Sequence, residues 1–99
     1  MTVQLNLNVN DMPIKTDYFV EAFVDHTVSG MIEALEGTGP VKDLEMSIEG
    51  NSVSIKLNGS DVPINAFVIK IIRSTMNGMV SVLKGVNGNV KTLKLNIKK

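Results

Sequence analysis

The sequence predicts an α+β fold: a sandwich of a four-stranded antiparallel sheet with two helices on one face, made by tandem duplication of a βαβ half. The first observation is a repeat. Residues 27–37 and residues 75–85 share Thr, two Gly, Met and Leu at identical spacing, 48 positions apart. Residues 3–14 align with residues 53–64 at a spacing of 50, including Asp11-x-Pro13-Ile14 against Asp61-x-Pro63-Ile64. Residues 41–49 align with residues 90–98 at a spacing of 49. The second observation is periodicity. Apolar residues alternate in four short segments and recur at helical spacing in two longer ones, in the order βαβ–βαβ. The chain is therefore read as one domain, residues 1–99, with half-repeats 3–49 and 53–98.

In the first half, Val3, Leu5, Leu7 and Val9 alternate with Gln4, Asn6 and Asn8, the pattern of a half-buried strand. The segment Asn10-Asp11-Met12-Pro13 interrupts it, since Asp favours turns and Pro cannot donate to a ladder. Asp17 is placed to cap a helix starting at Tyr18, and Glu21 suits the positive end of its dipole. Phe19, Val20, Phe23, Val24, Thr27, Val28, Met31, Ile32 and Leu35 form its apolar stripe. Gly37 is the expected stop, with Pro40 beyond it. Leu44, Met46 and Ile48 then alternate with Glu45, Ser47 and Glu49 as the second strand.

Gly50-Asn51 suits a two-residue hairpin loop. Val53, Ile55 and Leu57 continue as the third strand, and the segment Asn58-Gly59-Ser60-Asp61 turns the chain. Asn65 caps a second helix whose stripe holds Phe67, Val68, Ile71, Ile72, Thr75, Met76, Met79, Val80 and Leu83, up to Gly85. Val90, Leu93, Leu95 and Ile97 complete the fourth strand. With a hairpin between strands two and three and a right-handed crossover in each half, the expected strand order is 4-1-3-2. This order of elements resembles the ferredoxin-like superfold. It would put Glu45 and Glu49 on one edge strand and Lys94 and Lys98 on the other. Mid-helix glycine costs roughly 1 kcal/mol against alanine, so Gly30 and Gly78 are expected at a close helix–helix contact.

Several function classes find no support. The chain has no cysteine, which removes disulfides, thiol catalysis and Cys-ligated zinc. The single histidine, His26, has no converging ligands or nucleophile partner in the pattern. Phosphate-loop glycine motifs are missing. The expectation is a non-enzymatic chain without cofactor or metal. The N-terminus alternates rather than running apolar, and no stretch reaches the ~20 apolar residues of a membrane span, so a cytoplasmic, soluble protein is expected. All four aromatics, Tyr18, Phe19, Phe23 and Phe67, fall on helices, which argues against base stacking on the sheet.

Charge supplies the functional expectation. Residues 1–50 carry nine acidic and two basic groups, a net of −7; residues 51–99 carry one acidic and eight basic, a net of +7. Such a split points to a partner. Glu21, Asp25, Glu33 and Glu36 are read on the outer side of the first helix, and Lys70, Arg73 and Lys84 on that of the second. The expectation is an interaction or assembly domain that binds itself or another protein through Glu45, Glu49, Lys94, Lys98, Lys70 and Arg73. The alternative is a small-ligand regulatory module, which the topological resemblance to ACT-type domains implies, using Asp11, Pro13, Asp61 and Pro63 in the strand–helix loops. A third reading is nucleic-acid contact through the basic half, disfavoured by the zero net charge.

Overall fold

Alternation along each strand selects one apolar face, and that face needs a cover. The structure, a computed structural model, describes residues 4–35, 40–83, 85–86 and 89–99. Its elements are β1 (Gln4–Val9), β2 (Met12–Pro13), α1 (Tyr18–Glu33), β3 (Asp43–Glu49), β4 (Ser52–Leu57), β5 (Ser60–Asp61), α2 (Ala66–Val80) and β6 (Thr92–Lys98). Leu7, Val9, Leu44, Met46, Ile48, Ile55, Leu57, Leu93, Leu95 and Ile97 lie on the covered side of the sheet. They share one core with Val24, Val28 and Ile32 of α1 and Ile72, Met76 and Val80 of α2. Both helices therefore cover one face, and the other face carries the polar alternates. Asp17 Oδ1 and Asn65 Oδ1 each accept the backbone N–H three residues on at 2.8 Å, so the helices start at the expected residues. They end earlier than expected, at Glu33 and Val80; Gly37 lies outside the described residues.

The strand order departs from expectation. The sheet has six strands, β2-β1-β6-β3-β4-β5, and every pairing is antiparallel. Counting the four long strands alone, the order is 1-4-2-3, not the ferredoxin-like 4-1-3-2. The second strand of each half is central and the first is peripheral. The reason is local. Asn10 (φ 52°) and Asp11 (φ 65°) form a two-residue turn with both central residues left-handed, as do Asn58 (φ 50°) and Gly59 (φ 86°). Each turn folds β2 onto β1 or β5 onto β4, and Ile14 N–H and Val62 N–H extend the match to Leu7 and Ile55 carbonyls at 2.9 Å. That fold-back occupies the outer side of β1 and β4 along half their length, so neither can be a central strand. β3 and β6 carry no such fold-back and bury three apolar residues each. The hairpin between β3 and β4 forms as expected, with Glu49 opposite Ser52 and Gly50 at φ 55°.

The halves are interleaved. β1 pairs with β6 and β4 pairs with β3, while β3 and β6 pair with each other about a Met46–Leu95 centre. Every pairing between long strands thus joins one half to the other. Two asparagines lock the arrangement symmetrically. Asn10 Oδ1 accepts from Lys91 N–H (2.7 Å) and Thr92 N–H (3.1 Å), and its Nδ2 donates to Asn89 O (3.0 Å). Asn58 Oδ1 accepts from Lys42 N–H (3.1 Å) and Asp43 N–H (2.9 Å), and its Nδ2 donates to Pro40 O (3.0 Å). Each left-handed Asn clamps the entry of the other half's central strand.

These equivalences set the true register of the repeat. Asn10 matches Asn58 and cap Asp17 matches cap Asn65, a spacing of 48. The spacing of 50 between the Asp-x-Pro segments is not structural: Asp11 corresponds to Gly59, and Pro13 to Asp61. The interleaving also bears on the charge split. Glu45 lies opposite Lys56, and Asp43 opposite Lys98, so unlike halves bring unlike charges together, worth roughly 0.2–1 kcal/mol per cross-strand pair.

Two outcomes are expected. Asn58→Ala loses three hydrogen bonds and strains a left-handed residue, so urea denaturation should show a loss of about 2 kcal/mol, with Asn58→Gly losing less because only the clamp is removed. Peptides of residues 1–50 and 51–99 should each lack native circular dichroism alone and recover it when mixed in equal amounts, since each half's long strands find partners only in the other.

Candidate interaction surface

The apolar stripe of each helix is wider than the sheet can cover. On a helix of about 3.6 residues per turn, Phe19 and Ile32 lie more than a third of a turn apart. The sheet takes the row of Val24, Val28 and Ile32 on α1, and of Ile72, Met76 and Val80 on α2. The row one step round is left outside. Phe19 is 71% exposed and Phe23 50%; their equivalents Phe67 and Ile71 are 68% and 43% exposed. Phe19 and Phe23 sit one turn apart, with ring centroids 5.9 Å from each other. With Ala22, His26 and Thr27 they line a shallow depression on the outer surface of α1.

An ion pair reinforces this rotation on α1. Asp25 is buried, 7% exposed, rather than on the outer side of the helix as its charge suggested. Lys99 Nζ lies 3.0 Å from its Oδ1, Ser29 Oγ donates to the same oxygen at 3.1 Å, and Lys99 Nζ donates to Ser29 Oγ at 3.1 Å. Rolling the helix to bury Phe19 and Phe23 would break this group and leave a charge without its partner, a cost of several kcal/mol. On α2 the equivalent of Asp25 is Arg73, half-buried on the same flank.

The glycines depart from expectation. Gly30 and Gly78 are exposed, and a Cβ at either would meet no atom of the described residues within 4 Å. They are not at a contact between α1 and α2. They lie on the outward row with Phe19, Phe23 and His26, and with Phe67, Ile71 and Ser74, two turns or more from the aromatic end of each helix. The two helices run in opposite directions, because β1 and β3 are parallel to each other and antiparallel to β4 and β6. The outward surface of the helix layer therefore has bulky apolar groups at two diagonal corners and bare backbone at the other two.

Charge on this layer divides cleanly by helix. The segment from Asp17 through Glu33 carries Asp17, Glu21, Asp25 and Glu33 and no Lys or Arg; the segment from Asn65 through Val80 carries Lys70 and Arg73 and no Asp or Glu. Glu36 and Lys84 lie outside the described residues.

The remaining expected site residues do not assemble as read. Glu45, Glu49, Lys94 and Lys98 stand on the two central strands, not on opposite edges. Lys94 faces Asn8 and Ser47, Lys98 faces Gln4 and Asp43, and Glu49 faces Thr92 and Ser52. An acidic edge and a basic edge therefore do not exist, because the strands that carry these charges are neighbours. Glu45, Lys56, Asp61 and Lys94 with nearby Asn and Ser line a shallow cleft of about 420 Å³ on the open face, where signs alternate and form no continuous basic track for phosphates. Asp61 and Pro63 line a groove of about 520 Å³ between β5 and the start of α2. Asp11 and Pro13 belong to the β1–β2 hairpin and are not lining residues of that groove.

Among the described residues no three His, Asp or Glu side chains converge as a metal site, and no helix is long and apolar enough to cross a membrane. No family model, curated protein or solved structure gives a significant match to this chain. The outward Phe row was missed in the sequence because helical spacing alone counts Phe19 and Phe23 with the core. The signal available was the width of the stripe, together with the repetition of Phe19 as Phe67.

Proposed function

We propose that this chain is a small non-enzymatic assembly domain that self-associates through its helix layer. The observation that carries the reading is the exposure of Phe19, Phe23, Phe67 and Ile71 at equivalent places on the two helices. Large apolar side chains clustered on a surface otherwise polar mark a protein contact, and aromatic groups supply most of the energy of such contacts. Lys70 and Arg73 on α2 and Glu21 and Glu33 on α1 remain outside the cross-half pairs. Glu45 and Lys98 stand opposite unlike charges of the other half, Lys56 and Asp43, while Glu49 and Lys94 stand opposite neutral residues on the central strands. Sedimentation equilibrium tests the reading. The chain should form a concentration-dependent oligomer, and Phe19→Asp with Phe67→Asp should weaken it at least about tenfold, a change of roughly 1.4 kcal/mol, while circular dichroism stays native. A monomer at every accessible concentration sinks the proposal.

A second reading rests on the groove beside Asp61 and Pro63. It is concave, mixes apolar and polar lining, and lies at the N-terminus of α2, where a small polar metabolite with a donor group would meet Asp61, Asn65 and Ser60. Thermal-shift screening against amino acids and nucleotides discriminates: a binder raises the melting temperature, by several degrees at saturating concentration, and Asp61→Ala abolishes the rise. A melting temperature unmoved by the whole panel counts against it.

A further inference from the structure

Resting on self-association through the helix layer, we infer its geometry: two copies face each other about a two-fold axis parallel to the helices, with α1 of each copy lying antiparallel on α2 of the other. The occupant of the exposed helix face is thus a second copy of this chain. Three features of the surface lead there.

The first is shape. Each helix has its bulky pair near the N-terminus and its glycine near the C-terminus of the outward row. Antiparallel stacking lays the bulky end of one helix over the bare end of the other. Counting along the outward rows, Phe19 falls opposite the partner's Gly78, Phe23 opposite the partner's Ser74, His26 opposite the partner's Ile71, and Gly30 opposite the partner's Phe67. All four meet in one register. The second is the cost of the glycines. In a single copy no atom of the described residues lies within 4 Å of a Cβ built on Gly30 or Gly78, so nothing among them offsets the helix-weakening effect; a ring seated on the bare backbone would offset it. The third is charge. Because the two halves are near-equivalent, stacking α1 on α1 would satisfy the same shape. Only α1 on α2 sets a helix without basic residues against a helix without acidic ones, while α1 on α1 opposes like charges within one screening length. The arrangement is isologous and closes at two copies.

The absence of cysteine makes the test direct. His26 and Ser74 lie on facing rows less than one helical turn apart in the inferred dimer, whereas two copies of His26 are separated sideways by the spacing of adjacent helices. A disulfide needs Cα atoms within about 7 Å. His26→Cys and Ser74→Cys proteins, mixed in equal amounts and oxidised, should yield mainly the mixed 26–74 disulfide, identified by its mass. Homodisulfides in excess, or a dimeric mixture with no mixed disulfide, overturn the geometry and leave self-association standing; a chain that is monomeric by sedimentation removes both. A second variant guards the result. Gly30→Gln with Gly78→Gln fills open space in the single copy, so the fold should persist while association falls at least about tenfold. Undiminished association of that variant overturns the seating of the rings on glycine.

Discussion

The pairing of β6 with both β1 and β3 is the contact on which the remaining structure depends, because it carries the acidic half and the basic half into a single sheet. With β3 and β4 joined as well, every hydrogen-bonded join between long strands crosses from one half to the other. A half taken alone has two parallel strands with a gap between them and a helix with an uncovered apolar row. The gap is filled only by the other half's central strand. Asn10 and Asn58 guard the entries to those central strands, each holding three backbone groups of the opposite half. Their left-handed backbone is tolerated because Asn adopts that region more readily than most residues.

This interleaving changes what the charge split means. Taken as two halves side by side, −7 and +7 suggest two flanks that seek outside partners. Interleaved, part of the split becomes internal. Glu45 stands across from Lys56 and Asp43 from Lys98 in the strand register, and Asp25 forms an ion pair with Lys99. Like halves from two chains would set like charges on neighbouring strands, so the same distribution disfavours pairing of like halves between molecules. What these pairs do not consume is the remaining charge on the helices, where no opposite sign stands on the same element.

The rotation of α1 links that remainder to the exposed aromatics. Asp25, Ser29 and Lys99 form a small polar group at the flank of an otherwise apolar contact. Its geometry keeps Val24, Val28 and Ile32 against the strands and leaves Phe19 and Phe23 outward. α2 takes the same rotation without the ion pair, since Met76 and its neighbours fill the same depth of core. Two helices with one design thus present one surface, bulky at the start and bare at the end.

The residues alone were enough to give the duplication, both helix caps, the tight hairpin, the buried face of each strand and the polar character of the open face. These are consequences of spacing and of local backbone preference, and Asp17, Asn65, Gly50 and the Leu44–Met46–Ile48 alternation each act within a few positions of themselves. Strand order, helix rotation and the placing of Gly30 and Gly78 were decided by tertiary structure. Alternation says which face is buried but not which strand is central, so Glu45 and Lys94 could be drawn on edges when they belong in the middle. Helical spacing says that a stripe is apolar but not which part of it the sheet will cover. That depends on how each row packs against strands distant in the chain, the same on both helices, with the Asp25–Lys99 pair, seventy-four positions apart, reinforcing it on α1 alone.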